Sequence, residues 1–101
     1  MRGRSGDLIG VAMAYRAMAR QAVAARDRPR AERCIELAMR VARTRGSAPE
    51  MAATQLCAGQ IACSFEDRSR ARVLLDRAMP AFEHMGMAWH LDQATRLMRE
   101  S

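Results

Sequence analysis

A shift of forty residues lays much of this chain on itself. Ala12 falls on Ala52, Ala22 on Ala62, Asp27-Arg28 on Asp67-Arg68, Arg30-Ala31 on Arg70-Ala71, Ala38-Met39 on Ala78-Met79, and Gly46 on Gly86. Most of the matched positions are small residues, turn formers and glycines, which fix where helices approach and where they stop. A fixed period of this size marks units that stack on their neighbours instead of closing round one core. The expected architecture is all-α: antiparallel helix hairpins, with repeat 1 at about 7–46, repeat 2 at about 47–86 and a capping helix at about 88–100, all in one domain of 101 residues.

The turn signals place five helices. Asp7 can cap a first helix running to about Ala25, with Leu8, Val11, Ala12, Tyr15, Ala19 and Ala22 on one apolar stripe and Ile9, Met13 and Val23 widening it. A helix apolar over so much of its circumference expects neighbours on two sides. Gly6 stands forty residues before Gly46, where a preceding unit's second helix would end, so the array is expected to start mid-stack and to self-associate through that end. Asp27 caps a second helix with Pro29 in its first turn and Ala31, Cys34, Ile35, Ala38 and Ala42 on its inner side; Gly46 suits a left-handed end. Glu36 and Arg40 are one turn apart on its outer side and are expected to pair.

Ser47-Ala48-Pro49-Glu50 is a capping box for a third helix to about Phe65. After Asp67, a fourth helix buries Ala71, Leu74, Leu75, Ala78 and Phe82, and should bend without breaking at Pro80. The fifth carries Trp89, Leu91, Ala94, Leu97 and Met98 as its packing side.

Within the second unit, Gly59 is followed by Ala71, Leu75 and Ala78; the first unit has Ala19, Ala31, Ile35 and Ala38 at the same spacings. This pattern resembles the tetratricopeptide repeat, in which a small residue on the first helix meets an Ala opening the second. The period is longer than that family's usual one, and the aromatic expected near the start of each first helix is Tyr15 in one unit but Gln55 in the other. Long-period repeats with a phrase like Phe82-Glu83-His84-Met85-Gly86-Met87 before a Trp-bearing last helix resemble the helical arrays of large bacterial ATP-dependent transcriptional activators and multidomain adenylate cyclases. HEAT repeats have a closer period but lack the small-residue pattern.

The resemblance implies a protein-interaction module, not an enzyme. First helices would line a concave groove, with Arg16, Arg20 and Val23 from the first unit and Leu56, Gln60 and Cys63 from the second at the peptide-gripping places. Two guanidinium groups one turn apart favour a carboxylate, so an acidic or C-terminal peptide is the expected partner. The residues themselves point the same way. The odd set Cys34, Cys57 and Cys63 has no CxxC spacing, so neither disulfides nor zinc is suggested. His84 and His90 with Met79, Met85 and Met87 match no ligand motif, and no cofactor is expected. No apolar run approaches a membrane span and no signal core follows Met1, which implies a soluble, cytoplasmic chain.

The alternative is nucleic acid. All 17 basic residues are Arg, the net charge is +6, and residues 1–50 hold eleven Arg against five acids. Arg26, Arg28, Arg30, Arg33, Arg40, Arg43 and Arg45 could neutralise phosphates. Against this, no aromatic side chains interleave with them, and Asp27, Glu32 and Glu36 are mixed in.

Overall fold

The computed structural model describes residues 4–100, with side chains from residue 10 onward. It contains five helices in chain order: α1 (Arg4–Ala24), α2 (Arg28–Arg45), α3 (Ala48–Ser64), α4 (Arg68–His84) and α5 (Ala88–Glu100). There is no strand among the described residues. None of the described helices is long and apolar enough to cross a membrane.

The forty-residue period reappears in the turns. Asp27 and Asp67 each accept a bond from the backbone N–H three residues on, at 3.2 and 3.3 Å. Just before them Arg26 and Glu66 adopt left-handed backbone, with φ of 58° and 61°. In both turns the Asp N–H closes the preceding helix by donating to a carbonyl five residues back, Ala22 or Ala62, at 2.8 Å. Gly46 and Gly86 end α2 and α4 the same way, with φ of 64° and 68°; there the left-handed residue is the one type that carries no Cβ penalty.

Helices adjacent in sequence pack together, and α1 also touches α3 while α3 touches α5; α2 and α4 do not meet. The five helices thus form one row in contact, α1–α3–α5, and a second pair spread apart. Alanines make the close approaches: Ala19, Ala31, Ala38, Ala71 and Ala78 are fully buried. At Gly59 an added Cβ would lie 2.7 Å from Leu75 Cδ2, so α3 and α4 are as close as a glycine permits.

Several sequence expectations are corrected. Gly6 and Asp7 lie inside α1, which begins at Arg4, so neither ends nor caps a helix. The side chains of Leu8 and Ile9 lie outside the described residues. Val11 is exposed instead of buried, and Leu74 is half-buried. The capping box forms only in part: Glu50 N–H donates to Ser47 Oγ at 3.3 Å, but the Glu50 carboxylate pairs with Arg45 and the Ser47 N–H goes to the Ala42 carbonyl. Glu36 pairs weakly with Arg33, at 3.7 Å, and not with Arg40, since i−3 is as near on a helix face as i+4. Helix α4 runs unbroken through Pro80.

Trp89 is the largest departure: it is 63% exposed. It precedes Leu91 by two residues, which is about 200° round a helix, so it faces away from Leu91 and Ala94. His90, four residues before Ala94, takes the inward place.

Candidate functional site

Arg16 and Arg20 reach from α1 over α3, where Ala53, Leu56, Cys57 and Gln60 form a floor, and Trp89 and His90 of α5 complete the wall. The depression they enclose is about 140 Å³, and no acidic side chain among the described residues lines it. A second, of about 110 Å³, adjoins it through Arg20, Cys57 and Gln60 and extends along Val23, Ile61 and Ser64. Of the six groove residues expected from sequence, Arg16, Arg20, Leu56 and Gln60 therefore converge in one place. Val23 lines the adjoining depression. Cys63, half-buried, lines neither.

Arg16 is placed by a relay. Its Nη1 donates to Thr54 Oγ1 at 3.3 Å, and that hydroxyl donates to the Glu50 carbonyl at 2.8 Å. Thr54 is fully buried, so the relay sits inside the packing of α1 on α3. Burial pushes the Arg16 guanidinium below its ordinary value. An Arg stays charged under such a shift, so the site holds two like charges, one part-desolvated, with no anionic side chain among the described residues that line it. Burial pushes the Cys57 thiol up, against the smaller opposing pull of Arg20 and Arg16. Cys57 is thus a protonated, apolar part of the floor and a poor nucleophile.

Sequence reasoning missed Trp89 and His90 as groove residues. The signal was available: His90 and Ala94 share a face at i,i+4, and the same geometry turns Trp89 outward. The two rings meet edge-on, 5.0 Å between centroids at 84°, and His90 lies 5.3 Å from buried Phe82.

The spread between α2 and α4 leaves a larger depression, about 300 Å³, with Ile35, Ala58, Ile61 and Ala62 at its apolar base. Its rim is mixed in charge and largely self-satisfied. Arg28 donates to Glu32 at 2.9 Å and to Asp67 at 2.7 Å, which ties the first hairpin to the second.

The same contacts draw on the Arg cluster of the first hairpin. Arg26 lies 4.7 Å from the Phe65 ring centre and donates to the Ser64 carbonyl; Arg28 also stacks near Phe65, at 5.7 Å. Arg33 and Arg45 pair with Glu36 and Glu50. No family model matches the sequence, and no curated protein or solved structure matches it.

Proposed function

We propose that this chain is a right-handed, tetratricopeptide-like array of two hairpins and a capping helix, and that it is a non-catalytic module binding an acidic peptide segment in the α1–α3–α5 groove. Two features support the array: the repeated turns, and a row of first helices in contact while the second helices spread, which curves a stack toward the first. One observation carries the binding reading. Arg16 and Arg20 converge over Leu56 and Gln60 in a depression that no acidic side chain lines among the described residues, so an anion from outside would complete the site.

The test is fluorescence anisotropy with labelled acidic and charge-reversed peptides. Arg16→Ala with Arg20→Ala should weaken acidic-peptide binding by about tenfold or more, the loss of one to two charge-assisted bonds, and leave Tm nearly unchanged. The outer pair Arg33→Ala with Arg40→Ala should do little. If the outer pair is the damaging one, or if a sub-micromolar nucleic-acid complex forms at physiological salt, the proposal fails.

The exposed side of α1 supports self-association as part of this reading. Ala14, Ala17 and Gln21 are exposed, whereas the residues forty positions on, Thr54, Cys57 and Ile61, are buried where the first hairpin covers α3. Met13, 57% exposed, lies beside them. A second copy would cover that face as the first hairpin covers α3. A clean monomer mass by light scattering at tens of micromolar would exclude it.

A further inference from the structure

Trp89 is the chain's single Trp, and it stands in the groove with most of its ring in water. An exposed indole is usually mobile, but this one has a base. Its ring meets His90 edge-on, His90 lies against Phe82, and Phe82 is fully buried in the core that α4 and α5 share. The edge-on arrangement leaves an indole face free. The neighbours on the same floor are Arg16 and Arg20, which repel a cation, and Leu56, which is apolar. A free aromatic face held beside two guanidinium groups matches a ligand with an anionic group and an aromatic group close together. The volume, about 140 Å³, admits a carboxylate and one side chain at a time, not a helix.

We infer that Trp89 is the specificity-determining residue of the groove, and that the segment it selects carries an Asp or Glu next to a Phe or Tyr. This rests on the peptide-binding reading, with Arg16 and Arg20 holding the carboxylate; the ligand's ring stacks on the indole. Helix α5 then serves as one wall of the binding site as well as the cover of the second hairpin.

The experiment uses three fluorescein-labelled hexapeptides with amidated C-termini, so that only side chains supply a carboxylate. They contain Glu-Phe, Glu-Ala or Gln-Phe in an otherwise identical Gly/Ser frame, and binding is read by anisotropy. Glu-Phe should bind about tenfold tighter than either of the others, the scale of one buried aromatic contact or one charge-assisted pair. Unlabelled Glu-Phe should also shift the emission of Trp89. Trp89→Ala should bring Glu-Phe down to the affinity of Glu-Ala and leave Glu-Ala unchanged, while Trp89→Phe should restore part of the difference. Equal affinity of Glu-Phe and Glu-Ala, or an equal loss for both in Trp89→Ala, overturns the role of Trp89. If Glu peptides still bind in an Arg16- and Arg20-dependent way, the groove reading survives that result. If Gln-Phe binds as well as Glu-Phe, or none of the three binds, both fall.

Discussion

The two hairpins share turns and helix register, yet they are fastened by different chemistry. In the second, Leu75 and Phe82 are fully buried and Met79, Met85, Met87, Leu91, Leu97 and Met98 pack round them, so α5 is held by large apolar side chains. At the corresponding places the first hairpin has half-buried Ile35 and buried Ala42. It is joined to the second through small residues, Cys57 and Ile61, and at its turn by Arg26 and Arg28 reaching Phe65, Ser64 and Asp67. One backbone plan thus tolerates a seam of large apolar side chains or one of smaller apolar side chains supplemented by polar bonds at the turn. The groove inherits the difference: α1 brings Arg16 and Arg20 where α3 has Leu56 and Gln60, so its charge comes from one hairpin and its apolar floor from the other.

The largest effect should come from the apolar seam. Phe82→Ala removes the side chain that supports α5 and the His90 ring, and should cost about 3–5 kcal/mol, much of the stability of a domain this size. Ile35→Ala in the first hairpin should cost about 2 kcal/mol, because that site is only half-buried. Denaturant unfolding of both variants measures this; equal losses would mean that the two seams are not different in kind.

A smaller effect probes the closest approach. Ala in place of Gly59 gains about 1 kcal/mol in helix propensity but puts its Cβ against the γ and δ carbons of a fully buried Leu75, an overpacking cost of about 1–3 kcal/mol. Gly59→Ala should therefore lower stability, by up to about 2 kcal/mol after that offset. The first hairpin has already made both exchanges, with Ala19 and Ile35 at these positions. Gly59→Ala with Leu75→Ile should accordingly be more stable than the two single losses added together, and simple additivity would sink this explanation.

The smallest effect tests the polar seam. The bond to Arg28, and then that to the Arg70 backbone N–H, hold the Asp67 carboxyl below its ordinary value. A depressed folded-state value means that the contribution is present above the unfolded carboxylate value, about 3.9, and is lost as pH falls through the lower folded one. The pair is partly exposed, so the effect on Tm is small and weakens with salt. Asp67→Asn keeps a good helix cap but removes the charge, so its Tm should fall less steeply than that of the parent below about pH 4. Parallel acid limbs for the two proteins would show that the Arg28 bond contributes nothing.

Much of this was legible in the sequence because small residues and turn formers are read locally. Asp27, Gly46, Ser47 and Asp67 mark helix ends whatever lies around them, and the buried alanines recur at a fixed spacing. Asp7 misled because an N-cap residue is also acceptable within a helix's first turns, and nothing local distinguishes the two. Arg16, Arg20, Leu56 and Gln60 were accessible through the repeat alignment. Trp89 is legible only from its angular place on α5, which puts it outside; its residue type, a large aromatic, suggests the core instead. Arg28 and Asp67 read locally as turn residues; that they meet each other depends on how one hairpin lies on the next, which no local pattern encodes.

The groove itself is tested most directly by mapping backbone amide chemical shifts during titration with the Glu-Phe peptide. Perturbations should centre on Arg16, Arg20, Leu56, Gln60 and Trp89, spanning α1, α3 and α5, with the outer residues Arg33, Arg40 and Arg43 unmoved. Perturbations centred on α2, or on the cleft between α2 and α4, would contradict it.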